Sequence, residues 1–195
     1  DLRFYQVKTL PGKRWTIARL TKQQKGSSIL GKLYQNYLLG REKTESLHLV
    51  SDAHYDFTLA DGTKATEQQT IKCSDIATAE VKKLAKCLLK ECGGNVLLPD
   101  EPTLLFEVTP LSVLDHAGHT KGKVAEFLES LLPDGSHPVV PTYQALYDEV
   151  RRKTNYEGQL KTPDDLTKHK GFGRSIVTKL LDRLASSRNL DTLWL

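Results

Sequence analysis

The chain has no methionine and only three cysteines, Cys73, Cys87 and Cys92, among 195 residues. The missing methionine leads us to expect a fragment or processed chain, with further sequence upstream of Asp1. Three irregularly spaced cysteines without a C-x-x-C exclude a disulfide framework, and we expect buried or half-buried thiols in a reducing cytoplasm. No apolar run approaches the ~18 residues of a membrane span. No basic segment leads into an apolar stretch as in a signal peptide. The absence of G-x-x-x-x-G-K-[ST] argues against an NTPase, and no serine nucleophile elbow is present. Asp115, His116 and His119 lie in a glycine-containing loop without cysteine partners, too little for a zinc site.

What is present is a foldable core with an uneven charge. The chain is 38% hydrophobic and 27% charged, the composition of an ordinary globular protein. Residues 1–43 carry ten Lys/Arg against two acids, a net of +8, whereas the remainder carries 18 basic against 22 acidic residues, a net of −4. Such asymmetry points to a polyanionic partner at the N-terminal part, or else to a solvated basic surface.

Hydrophobic spacing predicts a strand over 2–9, a short helix over 15–20, and a helix from Ser27 or Ser28 to Gly40. A strand over 46–53, a helix over 78–92 stopped by Gly93-Gly94, and a strand over 103–111 follow. The segment 54–72 reads as a polar excursion outside the core. Helices are predicted over 120–132, 142–153 and 174–187, with a short one after Pro163. Alternating strands and helices give an α/β core. Domain 1–115 is expected to hold this core, and 116–195 a helical region that completes or extends it.

One stretch carries chemistry. In FYQVKT, Gln6 and Lys8 stand two residues apart, so on a strand they share a face with Phe4, while Tyr5, Val7 and Thr9 point the other way. A carboxamide and an ammonium are costly to bury, so the face is either solvated or used. Phosphodiester hydrolysis offers a use. A metal must polarise the phosphate and activate a water, and a cation must orient the nucleophile and offset developing charge. The carbonyl of Val7 adds a third oxygen of the hard kind that Mg²⁺ prefers.

The order Q-V-K, then W-T-I-A-R-L, then S-S-I-L-G-K-L-Y on a helix, then a strand ending L-H-L-V-S-D-A, resembles the nuclease domain of bacterial antiphage effectors. That branch of the PD-(D/E)XK superfamily occurs in CBASS and Lamassu-type systems. The resemblance covers residues 3–55 closely. It implies a restriction-endonuclease-like mixed sheet flanked by helices, with Gln6 at the metal-side position and Lys8 as the catalytic lysine. The superfamily's upstream acid has no match, because Asp1 lies too close to Gln6. Lys32 and Ser28 on the helix would approach a phosphate, with a surface lysine as the alternative for Lys32. Lys13 and Arg14 would meet DNA with Trp15, whose indole could equally be core.

The expected function is therefore a Mg²⁺-dependent endonuclease acting on double-stranded DNA by in-line attack of water, with little sequence specificity. The expected setting is cytoplasmic, without a membrane, as a homo-oligomer or with defence-system subunits, beside a cyclic-oligonucleotide sensor outside the chain. The alternative is a non-catalytic nucleic-acid-binding module or a protein-interaction adaptor on a degenerate nuclease fold. K-G-F-G-R-S at 170–175 superficially matches a helix-hairpin-helix, and a plain turn capping the next helix is the competing explanation.

Overall fold

Alternating side chains in the first residues produce strand β1, Leu2–Lys8, whose even positions are half-buried and whose odd positions are exposed. The structure, a computed structural model, describes residues 2–24, 26–94, 96–98, 102–109, 122, 125–126, 139–156, 158–173 and 175–183. The chain divides into two compact units, Asp1–Leu111 and Ser112–Leu195.

In the first unit, α1 (Ile17–Leu20) and α2 (Ile29–Leu39) connect β1 to β2 (Thr44–Ser51). Strand β3 (Thr70–Lys72), helix α3 (Thr78–Cys92) and strand β4 (Thr103–Val108) follow. The sheet order is β1-β2-β4-β3. β1, β2 and β4 run parallel and β3 is antiparallel to β4, so the sheet is mixed. This is the expected α/β, restriction-endonuclease-like arrangement, with helices flanking the sheet.

Local chemistry explains the helix ends. Ser28 caps α2 by accepting from the Gly31 N–H at 2.9 Å, and Gly40 closes it. Gly93 stops α3 at φ +69°, a conformation that favours glycine.

The core lies on one face of the sheet. Leu47 and Leu49 from β2, Leu104 and Phe106 from β4, and Ile71 from β3 meet Leu30, Leu33, Tyr34 and Tyr37 of α2 and Val81, Leu84 and Leu88 of α3. The segment 54–72 corrects the expectation of a polar excursion. Tyr55, Phe57, Ala65 and Ile71 are fully buried, and Phe57 packs edge-on to Phe106 at 4.9 Å. Residues 53, 55, 57 and 59 are buried in alternation with half-buried polar neighbours, a strand-like periodicity that overrides the polar composition.

In the second unit, α4 (Val139–Thr154), α5 (Pro163–Lys170) and α6 (175–183) form the helical C-terminal region. Pro163 opens α5 as expected, with a reciprocal cap between Thr162 and Asp165. Lys153 donates to the Lys168 carbonyl at 3.0 Å, and Tyr156 stacks on His169 at 4.1 Å, joining α4 to α5. Most of the predicted helix 120–132, and the whole of Asp115, His116 and His119, lie outside the described residues.

Candidate active site

β1 is an edge strand of the described sheet, and its register fixes its neighbours: Gln6 lies beside Leu49, Val7 beside Val50, and Lys8 beside Ser51. Because β1 and β2 are parallel, their C-terminal ends open at the same end of the sheet, where ligands bind in open α/β folds. Gln6 and Lys8 share the half-buried inner face with Phe4, and the Val7 side chain is 54% exposed on the other.

The Gln6 carboxamide oxygen is buried without a hydrogen-bond partner among the described residues, a state it shares with His54 Nδ1 and Thr142 Oγ1. An unsatisfied buried acceptor costs about 1–3 kcal/mol, so a cation or donor arriving at Gln6 Oε1 is favoured.

The turn after β1 is tied to the end of β2. The Leu10 N–H donates to Asp52 Oδ1 at 2.9 Å, and Ser51 Oγ donates to the same oxygen at 3.3 Å. Leu10, Pro11, Gly12, Lys13 and Arg14 line a cleft of about 440 Å³ with Asp52 and Ala53. Lys13 and Arg14 are exposed there. Asp52 follows the register partner of Lys8, and its Oδ2 makes no hydrogen bond among the described residues. In the sequence Asp52 stands in L-H-L-V-S-D-A, where nothing local marks it as a ligand. Gln6 Oε1 and Asp52 Oδ2 are hard oxygens of the type that Mg²⁺ accepts while retaining waters and substrate phosphate. No group of three or more His, Cys, Asp or Glu able to hold a metal occurs among the described residues.

Two expected DNA contacts are placed elsewhere. Trp15 takes the core alternative: its indole is 5% exposed and donates to Ser51 Oγ at 2.7 Å. Ser28 is fully buried, so it does not face a phosphate. The anion at this helix N-terminus is internal. Glu91 of α3 takes the Ser28 N–H at 2.8 Å and the Ser28 hydroxyl at 2.9 Å, with the Gln23 amide at 3.2 Å and the Cys87 thiol at 3.3 Å. Burial pushes the Glu91 carboxyl upward, but the donors from Ser28, Cys87 and Gln23 outweigh it and hold the group below its ordinary range. A Cβ on Gly31 would collide with this carboxylate, which accounts for a glycine inside the helix. Lys32 is exposed on α2.

The opposite face of the sheet holds a polar network that the sequence did not reveal. His48 shares a 2.7 Å hydrogen bond between Nε2 and Ser46 Oγ, and another of 2.7 Å between Nδ1 and Glu107 Oε1. The exposed Tyr5 ring stacks on the imidazole at 4.3 Å. Glu107 thus finds its partner in a histidine on β2. The only sequence signal was a pair of polar residues, Ser46 and His48, at alternate positions of an apolar strand.

The three cysteines are free: Cys73 is buried, and Cys87 and Cys92 are half-buried. Burial pushes the Cys73 thiol up to about 12, the mark of an unreactive group. At K-G-F-G-R-S, Gly171 lies against the Thr167 carbonyl and its N–H donates to the Leu166 and Thr167 carbonyls, closing α5. No helix among the described residues is long and apolar enough to cross a membrane.

Against known families, residues 1–154 match the model described as Cap4, dsDNA endonuclease domain. Searches of curated proteins and of solved structures give no match.

Proposed function

We propose, for a chain that belongs to the family of Cap4 dsDNA endonuclease domains, that it hydrolyses DNA phosphodiesters with Mg²⁺ and little sequence preference as an effector of bacterial antiphage defence. The observation that carries this reading is the buried Gln6 oxygen, unpartnered among the described residues, two residues from Lys8 toward the C-terminal end of parallel strands.

Gln6 Oε1 and the Val7 carbonyl would hold the ion together with a carboxylate. Asp52, at the end of β2, is one source, and an acid on a strand added to the open edge of β1 is the other. When bound, Mg²⁺ supplies charge against the phosphate oxygens and acidity to a coordinated water. The Lys8 ammonium, set on a rigid strand, would orient the attacking water and offset the charge that develops on the phosphate. Lys13 and Arg14 at the cleft would meet the backbone phosphates. Such contacts position the duplex without reading bases, which supports low specificity. Lys32 is kept as an outer phosphate contact.

The setting we propose is cytoplasmic, with activity released by assembly with further copies or defence-system subunits, and a cyclic-oligonucleotide sensor outside this chain as one source of the signal. The test is nicking of supercoiled plasmid by the chain, or by a longer protein carrying it, during Mg²⁺ titration. The expected result is cleavage that rises with Mg²⁺ and stops with EDTA. Salt-dependent duplex binding without metal-dependent cleavage would instead establish a non-catalytic module.

A further inference from the structure

Helix α3 carries six charged side chains, Glu80, Lys82, Lys83, Lys86, Lys90 and Glu91. Its two acids are half-buried and tied to neighbouring segments. Glu80 accepts the Thr58 N–H at 3.0 Å, and Glu91 holds the N-terminus of α2 as described. The four lysines are all exposed, and none forms an ion pair among the described residues.

This arrangement works against the helix. Lys82 with Lys86, and Lys86 with Lys90, are like charges at i,i+4, each destabilising by about 0.2–0.5 kcal/mol. An outer helix face made only for solubility gains from mixed signs, and here the acids that would supply them are occupied by Thr58 and Ser28.

The lysines also border a concave surface. Lys83, Lys86 and Lys90 line a cleft of about 400 Å³ with Thr21 and Gln23, the latter two following α1. Lys22, between them, is exposed as well. The cleft holds one acid, Glu91, whose oxygens are committed to four hydrogen bonds from Ser28, Gln23 and Cys87, and its single negative charge is outnumbered by the three lysines.

We propose that this lysine face of α3 is a second contact for the DNA backbone, carrying the duplex beyond the strand-end cleft. The inference rests on the nuclease reading for the identity of the polyanion, and the face enters binding without entering the chemistry.

The test is the salt dependence of duplex affinity, read by fluorescence anisotropy on a 30-base-pair duplex without metal. Each phosphate contact contributes about 0.9 to the slope of log K against log salt, so Lys83→Gln/Lys86→Gln/Lys90→Gln lowers the slope by about 2 to 3. Lys64→Gln, a lysine already paired with Asp56 at 3.2 Å, leaves the slope unchanged. A triple variant with the parent's slope, or a Lys64→Gln effect comparable per lysine, overturns the proposal while the nuclease reading stands. A parent chain without salt-dependent duplex affinity overturns both. A readout that needs no variant is amine acetylation followed by mass spectrometry. Duplex must slow modification of Lys83, Lys86 and Lys90 several-fold, and equal rates with and without DNA contradict the assignment.

Discussion

Two polar sites on opposite faces of one sheet are satisfied differently. On the outer face, Ser46, His48 and Glu107 satisfy one another in a chain of 2.7 Å hydrogen bonds. On the inner face, Gln6 leaves a buried oxygen without a partner among the described residues, two positions from an amine. A satisfied network ties strands together and asks for nothing from outside. An unsatisfied acceptor is a standing cost that only an arriving group removes. The comparison separates residues that hold the fold from residues held ready by it.

The largest expected effect is on Lys8. Lys8→Ala should lower cleavage by about 10²–10³, the loss seen when one stabilising donor is removed from a transition state. Its melting temperature should stay within a degree or two of the parent's. An equal loss of stability and activity would place Lys8 with the structural face.

His48→Ala should do the reverse. It strands a buried Ser46 and a half-buried Glu107 and should destabilise the fold by about 2–3 kcal/mol in urea titration. Duplex cleavage at temperatures where the variant is folded should be retained within a few-fold. A variant as stable as the parent would remove the network from the account of the fold.

Gly31→Ala sharpens the contrast at the α2–α3 contact. In an ordinary helix interior this change gains about 1 kcal/mol. Here the new methyl meets the Glu91 carboxylate, so we expect a loss of about 1–2 kcal/mol, comparable to removing a helix cap. In a Glu91→Ala background most of that loss should disappear, with the 3.1 Å approach to Ser28 Oγ remaining, and a double-mutant cycle by chemical denaturation reads the difference.

The smallest effect is in acid. The Glu91 carboxyl lies below its ordinary value of 4.5 in the folded chain. Its contribution is therefore complete above that pH and is lost as pH falls through the folded value. Stability of the parent should drop more steeply below pH 4.5 than that of Glu91→Gln, and parallel curves would detach Glu91 from the cap.

Much of the fold could be read from the sequence because its punctuation is local. Ser28 and Gly40 bound α2, Gly93 stops α3, and Pro163 opens α5. The alternation in FYQVKT gave the shared face of Gln6 and Lys8 for the same reason. What escaped depends on residues far apart in the chain. Tyr55 and Phe57 stood isolated among polar neighbours and became core by packing on each other and on Phe106 from β4. Glu91 reaches Ser28 across 63 residues, and Glu107 reaches His48 across 59, pairings that no local spacing encodes.

The most direct measurement pairs two readouts on Gln6→Leu. Replacing an unsatisfied buried carboxamide with an apolar side chain of similar size should raise stability by about 1 kcal/mol. The same variant should lose Mg²⁺-dependent cleavage by at least about 10², the scale of one lost transition-state contact. Higher stability with cleavage abolished is the predicted result. Cleavage at the parent's rate would contradict the claim that this oxygen is kept unpaired for catalysis.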